Sequence, residues 1–192
     1  MTRLDAQLAF LLEADKLKSV NRATPLADNS RPENSAEHSW HLALFALVLA
    51  EYADEPVDKT RVVQMLILHD LVEVDAGDVP IHGVVDHAAK EAAELAAADR
   101  IFGILPEDQG TKLRALWDEF EAGQSADARF ARALDRFQPP MLNIASGGGS
   151  WAEFNVDMAK IEARVAPAIK GGAPKLWEFA RAKIANFFAR QS

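Results

Sequence analysis

Leucines at 4, 8, 11, 12 and 17 recur near the spacing of one helix face, which predicts a first helix over residues 4–18. Residues 19–33 have no clean period and contain Pro25 and Pro32, so they read as a loop, with Lys16, Lys18, Arg22 and Arg31 in or beside it. Asn34 with Glu37 three residues on has the form of a capping box and opens a helix to about Ala53. Asp58 caps the next helix, about 59–74, and apolar residues at 66, 67, 68, 71 and 72 mark it as largely buried. Gly77 and Pro80 end it and start a loop to about 85. An Ala-rich helix over 86–102 stops at Gly103, and a helix over 106–122 carries Leu113, Leu116, Trp117 and Phe120 and stops at Gly123. Phe130, Leu134 and Phe137 share a stripe over 126–138; Pro139-Pro140 then interrupt or kink the helix before 141–145. Ser150 with Glu153 offers another capping box, followed by Phe154, Met158, Ile161 and Val165 at helical spacing. After a break at 170–174 a last helix, about 174–190, carries Trp177, Ile184, Phe187 and Phe188.

No strand-like alternation of useful length appears. The expected fold is all-α, with seven or eight helices in one domain over 1–192, its core at about 4–165 and the C-terminal helix packed on it. Trp40, Trp117 and Trp177 are expected in the core, and Trp151, after the glycines at 147–149, is a candidate lid over a pocket.

Composition narrows the chemistry. Hydrophobic residues make up 49% of the 192, enough for a substantial core, and the net charge is −8. A nucleic-acid polymer is thereby disfavoured as a partner, whereas a small anion can be received by a local basic pocket or a metal. There is no cysteine, so disulfides and thiolate metal sites are excluded, and any metal must use imidazole and carboxylate, as Mn, Fe, Co, Mg or Zn can. The longest strictly apolar run is Leu42–Ala50, nine residues, too short for a membrane span. With no signal-peptide pattern at the N-terminus, a cytoplasmic protein with no membrane partner is expected.

The candidate chemistry starts at His69-Asp70, at the end of the buried helix, with Glu73, Asp75 and Asp78 following within eight residues. Glu73 lies four residues after His69 and three after Asp70, so all three can point toward one region of a helix surface. Taken alone, the pair fits either a metal site or a helix end with a satisfied histidine and solvated acids. Two further features join it: Glu37-His38-Ser39-Trp40-His41, with His38 31 residues before His69, and Asp135 in apolar surroundings, 65 residues after Asp70. His41 reads as a supporting or core histidine, His82 and His87 as solvated, and Asp75 as a surface or helix-end contact.

The segments Glu33-Asn34-Ser35-Ala36-Glu37-His38-Ser39-Trp40-His41, Leu68-His69-Asp70-Leu71-Val72-Glu73, Asp75-Ala76-Gly77-Asp78 and Ala133-Leu134-Asp135-Arg136 resemble the HD-domain phosphohydrolase superfamily, in the branch containing the bacterial 5′-deoxynucleotidases. The likeness runs from about residue 4 to 165. It implies that His38, His69, Asp70 and Asp135 bind one divalent metal ion. Glu73 would hold or activate the attacking water, and Asp78 would be a second acid in the pocket. Arg22, with Arg31, would meet the substrate phosphate, which arginine can bind bidentately. The implied reaction is hydrolysis of a small phosphomonoester, best a (deoxy)nucleoside 5′-monophosphate, and a homodimer is implied with it. Cleavage of a nucleotide phosphodiester or pyrophosphate, or metal and nucleotide binding without turnover, are the alternatives. Nucleotidase relatives carry an aromatic residue after that arginine, against the sugar, where this chain has Ala23.

Overall fold

The structure, a computed structural model, describes residues 2–83 and 86–191. Ten α-helical segments and one short ribbon form it: α1 (Arg3–Asp15), β1 (Asn21–Pro25), β2 (Pro32–Asn34), α2 (Ser35–Leu49), α3 (Lys59–Leu68), α4 (Glu73–Ala76), α5 (His87–Phe102), α6 (Glu107–Ala122), α7 (Ala126–Ala145), α8 (Met158–Arg164), α9 (Ala166–Gly172) and α10 (Pro174–Ala189). The all-α expectation holds. There are more segments than expected because two of the anticipated helices are divided.

The first division lies at the chemistry. Residues 59–76 are continuous in space, but His69–Val72 form a 3-10 turn between α3 and α4. The His69 carbonyl accepts from the Trp117 indole at 3.1 Å, and the Glu73 amide bonds back to Asp70 and Leu71 instead. In a 3-10 turn side chains three apart eclipse, so Asp70 and Glu73 point the same way. The expected loop after α4 runs to about residue 85, and positions 84 and 85 lie outside the described residues.

The second division follows α7. The capping box expected at Ser150 does not form; Asp157 caps α8 through the Lys160 amide at 2.8 Å, and the chain breaks again at Val165. Gly172 then closes α9 where a side chain cannot fit, since a Cβ there would lie 2.2 Å from the Arg129 carbonyl oxygen of α7.

The central element is α7, which buries Phe130, Ala131, Leu134, Asp135, Phe137 and Gln138 and packs against α2, α3, α6, α9 and α10. Pro139 and Pro140 sit inside it and do not end it. Lacking N–H groups, they leave the carbonyls of Asp135 and Arg136 without their usual helical donors, which loosens the ladder just beside the site. The final helix buries Leu176, Trp177, Ala180 and Ile184 on this core.

Residues expected to form a loop after α1 instead form an antiparallel ribbon, with Asn21 opposite Asn34 and Pro25 opposite Pro32. Its register is irregular, as two prolines without N–H donors require. The ribbon turns Thr24 and Glu33 inward. The leucines that predicted α1 divide: Leu4, Leu8, Leu11 and Leu12 are exposed, whereas Leu17 is buried together with Phe10. Trp40 is also exposed, contrary to expectation, while Trp117 and Trp177 are buried as expected. Asp75, expected at the surface, ties α4 to α5 through Arg100 at 2.5 Å. Among the described residues no helix is long and apolar enough to cross a membrane.

Candidate metal centre

Three elements bring the predicted ligands together. The Asn34–Glu37 capping box fixes the start of α2, with Glu37 N to Asn34 Oδ1 at 2.9 Å and Asn34 N to Glu37 Oε2 at 3.2 Å. His38 follows in the first turn and is fully buried. His69 and Asp70 come from the 3-10 turn, and Asp135 from α7. One ligand atom from each of His38, His69 and Asp135 lies within 4.8 Å of the others. His38 Nε2 is 3.0 Å from Asp135 Oδ1, and His69 Nε2 is 3.7 Å from the same oxygen. Asp70 adjoins them, with Oδ1 3.0 Å from His69 Nε2 and Oδ2 4.0 Å from His38 Nε2.

The tautomer of His69 follows from its neighbour. Nδ1 lies 2.9 Å from the Leu66 carbonyl, which can only accept, so Nδ1 carries the proton. Nε2 is buried and has no hydrogen-bond partner. Its lone pair therefore faces two carboxylates, which repels unless a cation lies among them or the ring takes a second proton. Burial pushes the His69 ring down, but Asp70 and then Asp135 outweigh it and raise the ring to about 10. Burial likewise opposes the charge on Asp70, yet His69 and Arg22 hold it well below the usual carboxylate range. His38, His69 and Asp135 can hold one divalent ion, and their imidazole and carboxylate donors, with Asp70 alongside, suit Mn, Fe, Co, Mg or Zn.

His38 has support that the sequence reading missed. Its Nδ1 lies 3.3 Å from Glu33 Oε2 on the ribbon, a charge contact without hydrogen-bond geometry that a small turn of either side chain would complete. Gln138 Nε2 donates to Glu33 Oε1 at 2.8 Å and to His41 Nδ1 at 3.2 Å. A carboxylate behind a ligating imidazole fixes the ring and raises its basicity. Glu33→Gln is therefore expected to weaken metal binding by about 10–100-fold with the fold retained. Metal titration of the folded variant measures this, and unchanged affinity would remove the role. The available signal was a glutamate just before the capping box and a glutamine inside an apolar stripe.

A cavity of about 920 Å³ opens over His69, Asp70 and Asp135. Glu73, Asp78 and Arg22 also line it. Arg22 Nη1 donates to Asp70 Oδ2 at 2.7 Å and lies 3.6 Å from Asp78 Oδ1 and 3.9 Å from Glu73 Oε1. Ser35 Oγ donates to Glu73 Oε2 at 2.6 Å. Burial, then the Asp70 charge, raises Glu73 to about 8 against the pull of Arg22, and burial likewise raises Asp78.

Arg22 was expected to face the phosphate, and it does line the cavity, but its Nη1 is engaged by three acids. Arg22→Met would leave these acids buried without a counter-charge, at a cost of about 3–5 kcal/mol. The expected result is a melting temperature lower by roughly 6–20 °C. An unchanged melt with a raised KM would return Arg22 to phosphate binding alone.

Arg31 is a correction. Its guanidinium is exposed and bonds to Glu37 at 2.6 and 2.8 Å and to the Pro32 carbonyl at 3.0 Å, and it does not line the cavity. Trp151 is not a lid: it is buried on Phe187 and Phe188, at one edge of the cavity. His87 is exposed as expected and His82 is half-buried; both line the cavity, as do Arg136, Lys160 and Arg164.

An all-α domain holding a buried histidine–aspartate cluster under a polar cavity defines a class of metal-binding helical proteins. The family model of the HD domain matches residues 14–177, and the chain belongs to that family. It is similar to the structure of a "predicted metal-dependent phosphohydrolase" from Magnetospirillum magnetotacticum MS-1, with 49% identity, a TM-score of 0.91, and 98% and 97% of the two chains covered. It is 33% identical to the 5′-deoxynucleotidase HDDC2 of Homo sapiens over 130 residues, 67% of this chain and 62% of that protein. A 5′-deoxynucleotidase of Erwinia tasmaniensis is 28% identical over 169 residues, covering 82% of each chain. The chain thus spans a little under two thirds of the human relative.

Proposed function

We propose that the protein is a metal-dependent phosphohydrolase that cleaves a small phosphomonoester, with a (deoxy)nucleoside 5′-monophosphate as the favoured substrate. The observation that carries this reading is the convergence of His38, His69 and Asp135 beneath a cavity whose wall holds Glu73 and Asp78. Asp70 completes the ligand set, since its Oδ1 already lies 3.0 Å from His69 Nε2. A divalent ion at this position supplies Lewis acidity toward a phosphoryl oxygen and the attacking water.

The chain's own groups do the rest. Glu73 accepts a proton from the water, held in place by the Ser35 hydroxyl. Asp78 sits on the same wall and protonates the leaving alkoxide. Arg22 keeps Asp70, Glu73 and Asp78 together, so that they converge in spite of their like charge. The names of the relatives support a nucleotide substrate. Ala23 offers no aromatic face beside Arg22, so no preference between deoxyribose and ribose is part of the proposal.

The test is a phosphatase screen over nucleotides and sugar phosphates with Mn, Co, Mg and Zn supplied separately. Release of inorganic phosphate from a monoester is the expected result. Products of diester or pyrophosphate cleavage, or binding without turnover, would overturn it. A homodimer belongs to the same proposal. The exposed Leu44, Leu47 and Val48 of α2 and Leu8, Leu11 and Leu12 of α1 support a covered apolar surface, and a monomer mass in sedimentation would remove it.

A further inference from the structure

The cations lining the cavity fall into two groups. Arg22, Lys90, Arg132 and Arg136 each face a carboxylate: Asp70 at 2.7 Å, Glu94 at 3.2 Å, Glu121 at 3.6 Å and Asp135 at 3.1 Å. Lys160 and Arg164 do not. Lys160 Nζ donates to the carbonyls of Phe154 at 3.1 Å and Asn155 at 2.9 Å. Arg164 Nη1 donates to the Ile81 carbonyl at 2.8 Å and the Gly83 carbonyl at 3.4 Å. Among the described residues neither has a carboxylate partner within 4.0 Å. Both stand on one wall of the cavity, where the other lysine and arginine side chains each meet an acid.

Their placement adds to this. They are four residues apart on α8 and share a face, where like charges destabilise a helix. The half-buried His82 stands within the field of both. Burial, then Arg164, Lys160 and Arg136, push its ring down, so it is neutral and offers one N–H. Its Nδ1 is buried with no hydrogen-bond partner. Two cations and an imidazole, none of them among the four proposed metal ligands, thus share one wall of the cavity.

We propose that His82, Lys160 and Arg164 bind a second phosphate of the substrate, so that the preferred substrate is a phosphomonoester carrying another phosphate group. This rests on the hydrolase reading above, in which the metal end of the cavity takes the phosphate that is cleaved. These three side chains form a ledge that holds the one that remains. Arginine and lysine suit the task through charge-assisted hydrogen bonds.

The test compares kcat/KM within two pairs, using the wild type with Mn: deoxyadenosine 5′-monophosphate against deoxyadenosine 3′,5′-bisphosphate, and a hexose 6-phosphate against the hexose 1,6-bisphosphate. The wild type is expected to favour the bisphosphate by about tenfold or more in at least one pair. The double variant Lys160→Met/Arg164→Met should bring that ratio to about one, and Lys160→Arg/Arg164→Lys should restore it. No preference in either pair, or a preference that survives the Met variant, overturns the ledge. So does an equal loss on both members of a pair, which would mean that Arg164 acts only by pinning the 80–83 turn. Should none of the four compounds release phosphate, it is the hydrolase reading that fails. Calorimetric binding then decides the ledge, through the same ratio of affinities in the wild type and its loss in the Met variant.

Discussion

Asp135→Ala and His69→Ala are each expected to lose bound metal and turnover together. Each removes one donor from a buried cluster whose atoms all lie within 4.8 Å. Because the metal is asked to supply several kcal/mol of transition-state stabilisation, turnover should fall by about a thousandfold or more. The loss has a second readout that does not depend on substrate. At a metal concentration one hundred times its dissociation constant, binding stabilises the native state by about 2.7 kcal/mol. For a chain of this size that raises the melting temperature by roughly 5–10 °C. The wild type should show the rise and both variants should not. A variant that still melts higher with Mn has kept its site.

Glu73→Gln is expected to separate the two properties. Glu73 is not one of the four proposed ligands. It lies three residues beyond Asp70, at the start of α4, with one oxygen on Ser35 and the other toward Arg22. Glutamine keeps the shape and can still meet Ser35, but it cannot accept a proton from water. Metal-induced stabilisation should persist while kcat falls by about 100–10,000-fold, the usual range for a lost proton-transfer group. Equal turnover in this variant would assign the proton to another group, and joint loss of metal would make Glu73 a ligand.

The candidate ligands were legible through the resemblance of their segments to the HD-domain superfamily, since the His69-Asp70 pair alone fitted a satisfied histidine and solvated acids as well. All four side chains are buried, as ionisable groups seldom are without a partner. The capping box at Asn34 was equally legible, since its signal is local. The break at His69 was not, because it depends on the Trp117 indole, 48 residues away, taking the His69 carbonyl. Periodicity over 59–74 is blind to such a bond. The leucines of α1 and Trp40 show the same limit on another scale: a stripe reveals that a face is apolar but not what covers it. Arg31 and Arg22 looked alike in the sequence. The ribbon turns Arg22 inward to three acids, whereas Arg31 meets Glu37 at the surface. Lys160 and Arg164 belong to none of the motif segments, and only the return of α8 to the 80–83 turn places them on the cavity wall.

The most direct measurement is the anomalous difference map of crystals grown with Mn. One strong peak is expected about 2.0–2.6 Å from His38 Nε2, His69 Nε2 and a carboxylate oxygen of each of Asp70 and Asp135. A map with no peak among these four side chains, or with its strongest peak elsewhere in the molecule, would contradict a metal centre at this place and the hydrolase built upon it.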